Sequence, residues 1–140
     1  MNIAIIGNGR MGKAITHLAE SKGHSIVYIN NGERLDTVAL RKADVAIEFT
    51  QPNAAYSNIQ TILLTGIPVV CGTTGWLDQR NEIDAIALDK GVGFLYASNF
   101  SLGVNLFFLV NEKLAKIMAP YQDYSPSVHE IHHTGKKDKP

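Results

Sequence analysis

Near its C-terminal end the chain carries Glu130, His132, His133 and Lys136 within a short stretch. Imidazole gains and loses a proton near neutral pH, so either histidine can act as a general acid or base, and the lysine adds a nearby cation. Two adjacent histidines on an extended strand point to opposite faces, so they divide their duties unless the strand ends between them. The plainer alternative is one solvated imidazole and one that caps a loop. A metal centre is not expected, because beyond Glu130 no carboxylate or cysteine stands at ligand spacing. His129 shares a face with Ile131 and reads as a packed side chain. His17, in the first helix, and His24, just after it, read as surface or capping residues.

The second chemical stretch is Asn2 to Gly12, where the apolar run Ile3–Ile6 empties into Gly7-Asn8-Gly9-Arg10-Met11-Gly12. Four consecutive apolar residues suit a strand buried on both faces, as in a parallel sheet covered by helices. Gly7 permits the tight exit turn, Gly9 lets backbone approach a diphosphate, and Gly12 lets the following helix pack close to the sheet. That helix would aim its unpaired N–H groups and positive dipole end at the phosphates. A glycine-rich turn with no ligand is the alternative. The position between strand and helix favours a dinucleotide.

These residues need a scaffold, and the rest of the chain supplies one. Met11, Ala14, Ile15, Leu18 and Ala19 share a helical face that Gly23 ends. Strands are expected at Ser25–Ile29, Val45–Phe49, Pro68–Cys71 and Val92–Tyr96. Helices are expected at Ala54–Leu64 and from about Leu77 to Asp89, with a single helical turn around Asp36–Leu40. Strand and helix thus alternate through five strands, which predicts a doubly wound α/β sheet. Two strand exits, Gly72-Thr73-Thr74-Gly75 and Ala97-Ser98-Asn99-Phe100-Ser101, fall at the sheet edge where open parallel sheets hold ligands. Asn99 or Ser101 can also cap the helix that follows.

That helix, Leu102–Met118, is apolar over much of its circumference, with Val104, Leu106, Phe107, Leu109, Val110, Leu114 and Ile117. It needs cover from more than one side. Ser127 to His132 reads as one strand. The expected organisation is a nucleotide-binding domain over 1–101 and the incomplete start of a second domain over 102–140.

Thirteen basic residues balance thirteen acidic ones among 140, so neither nucleic acid nor an anionic membrane is an expected partner. No apolar run approaches membrane-spanning length and the first strand begins at once, which points to a cytoplasmic protein. The single Cys71 lies in an apolar run and reads as a small core residue.

Glu130-Ile131-His132-His133-Thr134-Gly135-Lys136-Lys137-Asp138-Lys139-Pro140 resembles the signature of the dihydrodipicolinate reductase family of lysine biosynthesis. The Gly7–Gly12 turn, the Gly72–Gly75 loop, Ala97–Ser101 and Gly103-Val104-Asn105 extend the resemblance over the whole chain, in the family's order. It implies a Rossmann-like fold, reduction of 4-hydroxy-tetrahydrodipicolinate by NADPH or NADH, and a homotetramer in the complete enzyme. By the same resemblance His132 is the acid/base residue, His133 binds substrate, and Lys136 supplies charge to the dicarboxylate and a proton. Gly7, Asn8, Gly9, Arg10, Met11 and Gly12 hold the cofactor. Gly72, Thr73 and Thr74 meet the nicotinamide end, and Ala97, Ser98, Asn99 and Phe100 line the cofactor at the hinge. The family continues past the equivalent of Pro140 with a Ser-Gly-Thr turn and most of a substrate domain. This chain is therefore expected to bind NAD(P)H without turning substrate over.

One position departs from the pattern. A carboxylate roughly 20 residues after the glycine turn usually bonds the adenosine 2′-hydroxyl and repels a 2′-phosphate, and here Asn30 takes that place. Asn30 can bond a ribose without repelling phosphate, while Arg10, Lys13 and Arg34 are cations nearby. The sequence thus predicts that NADPH binds at least as well as NADH. A non-catalytic dinucleotide-binding or redox-sensing module is the alternative function, but it would have no use for His132. A dehydrogenase of sugars or amino acids would usually place its own lysine or acid after the fifth strand, where Ala97-Ser98-Asn99-Phe100 stands.

Overall fold

The computed structural model describes residues 1–131 and 134. The chain divides into two compact units, one spanning Met1–Ser98 and the other beginning at Asn99. The first unit alternates β1 (Asn2–Ile6), α1 (Arg10–Ser21), β2 (Ser25–Asn30), α2 (Thr37–Leu40), β3 (Val45–Glu48), α3 (Pro52–Leu64), β4 (Val69–Cys71), α4 (Arg80–Lys90) and β5 (Phe94–Tyr96). A 3₁₀ turn, Leu77–Gln79, leads into α4. All five strands pair in parallel in the order β2-β1-β3-β4-β5. The α/β doubly wound architecture expected from the sequence is the one observed.

The order explains where the helices lie. Crossing from β1 to β2 runs one way along the sheet, and crossing from β2 past β1 to β3 runs the other. Right-handed crossovers then place α1 on one face and the later helices on the opposite face. The cores agree with this. Ile3 and Ile5 of β1 pack with Ala19 and Ile15 of α1. Ala4, Ile6 and Ala46 face the other way, against Leu40, Ile59, Ile62, Leu63, Ile83 and Ala87 from α2, α3 and α4. Each fully buried Leu or Ile contributes about 1.5–3 kcal/mol relative to an exposed one.

Local details follow from particular side chains. The Asp36 carboxylate caps α2, accepting from the N–H groups of Val38 at 2.9 Å and Ala39 at 3.1 Å. In α1 the buried positions are Gly12 and Ala19, with Ile15 packed beside them. Met11 and Leu18, expected on the same face, are exposed. The helix is turned so that Gly12, which has no side chain, meets the sheet, and the two long side chains are carried outward.

The second unit contains α5 (Leu102–Met118). Ser101 caps it, its hydroxyl accepting from Val104 N–H at 3.4 Å, while the Asn99 side chain accepts from Ser101 N–H at 2.8 Å. Glu112 and Lys116 pair along the helix. Taken by itself, α5 buries none of its residues. The strand expected from Ser127 to His132 is not formed over residues 127–131. A strand needs a neighbour to pair with, and the described residues after Asn99 include no other strand. His129, expected to be packed, is exposed for the same reason.

Candidate functional site

The exit from β1 is built from backbone alone. Gly7 has φ +99°, and a Cβ there would lie 2.1 Å from the carbonyl oxygen of Phe49, so neither the conformation nor the space admits a side chain. A Cβ on Gly12 would lie 1.9 Å from the carbonyl oxygen of Gly7. That contact is what seats α1 tightly on the turn. Gly9 differs, because a Cβ there would meet nothing within 4 Å. Gly9 is also the N-cap of α1, with no side-chain hydrogen bond to the helix and no acidic residue in the first turn. The start of a twelve-residue helix therefore presents N–H groups to open space, which suits a phosphate. Arg10 and Met11, the first residues of that helix, are exposed beside it.

A cleft of about 490 Å³ opens at this point, where strand order reverses. Gly7, Asn8 and Gly9 form one wall, Asn30 to Glu33 a second, and Phe49, Thr50 and Gln51 a third. Open parallel sheets hold ligands at this junction, beyond the C-terminal ends of the strands. Asn30 is present, but its side chain is already engaged. Its amide nitrogen donates to the Glu33 carbonyl at 2.9 Å and to the Tyr28 hydroxyl at 3.3 Å, and its oxygen accepts from Gly32 N–H at 3.0 Å. It is 3% exposed. Asn31 is exposed, and its side-chain oxygen accepts from the Asn8 amide at 2.8 Å, joining the glycine turn to the end of β2. Sequence reading passed over Asn31, since spacing places two asparagines within reach of one role and only the turn decides between them.

A second arrangement missed by sequence reading lies under the third wall. Glu48, the last residue of β3, is fully buried. Its carboxyl accepts from the Thr50 hydroxyl on one oxygen and from the Cys71 thiol at 3.2 Å on the other. Thr50 N–H donates in turn to the Thr73 hydroxyl at 2.7 Å, and Thr73's carbonyl accepts from the Trp76 indole at 2.7 Å. Burial pushes the Cys71 thiol far above its ordinary range, and the neighbouring Glu48 carboxylate pushes it further. Cys71 is thus the inert core thiol that the sequence suggests. Gly72 leaves no room for a side chain, because a Cβ would lie 2.1 Å from the Phe49 ring. The only sequence signal for this network is a glutamate inside an apolar strand.

The other expected site residues are placed as follows. Thr73 is buried and Thr74 half-buried in the loop after β4, while Ala97 and Ser98 follow β5 in the first unit. Asn99 and Phe100 belong to the second unit, where Asn99 helps start α5. His132, His133 and Lys136 lie outside the described residues.

Comparison with known proteins agrees with this geometry. The model of the family described as "Dihydrodipicolinate reductase, N-terminus" matches residues 29–100. The 4-hydroxy-tetrahydrodipicolinate reductase of Christiangramia forsetii is 46% identical across the whole of this chain, which covers 59% of that enzyme. The enzyme of the same name from Streptomyces coelicolor is 35% identical, again across the whole chain and 56% of its own length. This chain thus spans somewhat more than half the length of these relatives. Among solved structures, an NAD-binding protein from Listeria innocua has a TM-score of 0.60 at 17% identity, over 70% of this chain and 34% of that one. A hyperthermophilic archaeal homoserine dehydrogenase in complex with NADPH has a TM-score of 0.57 at 15% identity, over 68% of this chain and 43% of that one. At such identities the likeness is one of fold, whereas the family match takes in the β2 and β3 walls of the cleft and the two reductases run through the whole chain, its glycine turn included, and on those grounds the chain belongs to the dihydrodipicolinate reductase family.

Proposed function

We propose that this chain is the cofactor-binding portion of a reductase that converts 4-hydroxy-tetrahydrodipicolinate to tetrahydrodipicolinate with NADPH or NADH. The observation that carries the reading is the bare N-terminus of α1 behind Gly9, opening on a cleft at the switch point of the sheet. A diphosphate placed there meets backbone donors and a helix dipole, with Gly7, Asn8, Arg10, Met11 and Gly12 forming the cradle. The two nucleoside halves then extend in opposite directions, one over β2 and the other over the ends of β3 and β4. On the β2 side Asn31 offers an accessible amide, while Asn30 holds the turn in shape. On the other side Gly72, Thr73 and Thr74 are assigned to the nicotinamide end, and Ala97, Ser98, Asn99 and Phe100 to lining the cofactor. The cofactor supplies a hydride when bound. His132 is assigned the proton transfer, with His133 and Lys136 holding the dicarboxylate.

In solution the enzyme is assigned a homo-oligomeric state and a cytoplasmic location, in keeping with a pathway of small-molecule amino-acid biosynthesis. The test of the catalytic assignment uses a polypeptide of the relatives' full length. His132→Gln is expected to lower turnover roughly 10²–10⁴-fold while cofactor affinity stays within about twofold. Wild-type turnover in that variant would remove His132 from the mechanism.

A further inference from the structure

Glu48 touches no open part of the cleft, yet its surroundings connect two loops that border it. Burying a carboxyl is costly unless hydrogen bonds replace the lost water, and here both oxygens are occupied by partners from different segments. One partner is Thr50, in the loop that walls the cleft after β3. The other is Cys71, at the end of β4 and 23 residues away in sequence. Thr50 closes the circuit by donating its N–H to Thr73. A backbone bond from Gly72 N–H to the Glu48 carbonyl, at 2.9 Å, runs beside it. The Phe49–Gln51 loop and the Gly72–Gly75 loop are thus joined by the Thr50–Thr73 bond, and the buried Glu48 carboxyl holds Thr50 on one side and Cys71 on the other. Strand pairing alone stops at Glu48 and Cys71.

We propose that Glu48 is a positioning residue for the nicotinamide half of the cofactor, holding the two loops in the register that this half requires. The proposal rests on the reading that the cleft binds a dinucleotide. The diphosphate cradle at α1 and the Asn31 side belong to β1 and β2, and Phe49 stays tied to β1 by its backbone bond to Ile6 at 2.8 Å, so loosening the β3–β4 loops should fall chiefly on the ligand half that lies over them. Glu48 acts through Thr50 and Thr73 and does not itself meet the ligand.

The test compares two ligands on the 140-residue chain: NADPH, and 2′-phospho-ADP, which keeps the adenosine and diphosphate but lacks the whole nicotinamide riboside. Glu48→Met fills the same volume and removes both acceptors; Glu48→Gln keeps an acceptor for Thr50. Glu48→Met should weaken NADPH about tenfold and leave 2′-phospho-ADP within twofold. Glu48→Gln should restore most of the NADPH affinity. Equal weakening of both ligands would show that Glu48 serves the fold alone, and unchanged NADPH binding would show that the loops need no clamp; either result overturns the proposal. If Glu48→Met does not fold, Thr50→Val breaks the same circuit from its half-buried end, with Thr50→Ser as the restoring variant and the same two ligands as readout. Failure of the wild-type chain to bind NADPH, NADH or 2′-phospho-ADP overturns the dinucleotide reading itself, a result separate from any difference between variants.

Discussion

Asn30 and Asn31 are neighbours of the same type, and the turn gives them opposite work. The Asn30 amide is used up inside the turn, while Asn31 keeps an accessible amide beside the glycine loop. Neither carries the charge that excludes a 2′-phosphate, so NADPH is expected to bind within about tenfold of NADH or better, one charge contact being worth on the order of 1 kcal/mol. Asn31→Glu should shift preference toward NADH by a comparable factor, measured by calorimetric titration with both cofactors. Asn30→Glu should instead destabilise the chain, and a clean preference switch at Asn30 with none at Asn31 would reverse the assignment. Cys71 gives a pH prediction. Its thiol is held protonated in the native state far beyond the point, about pH 8.5, at which an unfolded cysteine ionises. Between those values the native chain binds one proton more than the unfolded chain. The corresponding stability is complete below about pH 8.5 and declines as pH rises, by at most about 1.4 kcal/mol per pH unit. Urea midpoints from pH 7 to 10 should fall more steeply for wild type than for Cys71→Ser, and parallel slopes would contradict this.

Where β1 runs into α1, two glycines three residues apart perform separable tasks. Gly12 has its α-carbon against the Gly7 carbonyl, whereas Gly9 faces open space. Gly12→Ala should therefore cost about 1–3 kcal/mol through overpacking and lower the melting temperature by several degrees. Gly9→Ala should melt like wild type and still lose at least tenfold in NADPH affinity, because the added methyl occupies the approach of the diphosphate. A thermal melt of each variant and one cofactor titration decide the matter. Equal melting losses in both would mean that the turn is uniformly packed.

Across the whole chain the two units present different surfaces. In the first, helices cover both faces of the sheet, although Leu95 of β5, in register with Val70, Ile47 and Ile5 on the α1 face, remains 55% exposed. In the second, α5 carries Phe107, Val110, Leu114 and Ile117 along one stripe and buries none of them. An apolar stripe of this length is expected to find another surface. The chain should accordingly self-associate, with a sedimentation coefficient that rises with concentration, and Phe107→Glu should shift it back toward the monomer. A concentration-independent monomer would set this expectation aside.

The parallel sheet and the glycine turn between β1 and α1 are legible in the sequence, because both rest on local rules. An apolar run such as Ile3–Ile6 suits a doubly covered strand, and Gly7 and Gly12 serve a backbone that must pass close to itself. The capped start of α5 was legible for the same reason, Ser101 being a good cap wherever it stands before an apolar helix. Tertiary structure alone decided matters that depend on residues distant in sequence. Thr50, Cys71 and Thr73 reach Glu48 and one another only once β3 and β4 lie side by side. The rotation of α1 that buries Gly12 and exposes Met11 is set by the Gly7 carbonyl beneath it. The expected strand after Ser127 failed because alternation along one segment describes half of a strand pair, and the hydrogen bonds that make a strand belong to its neighbour.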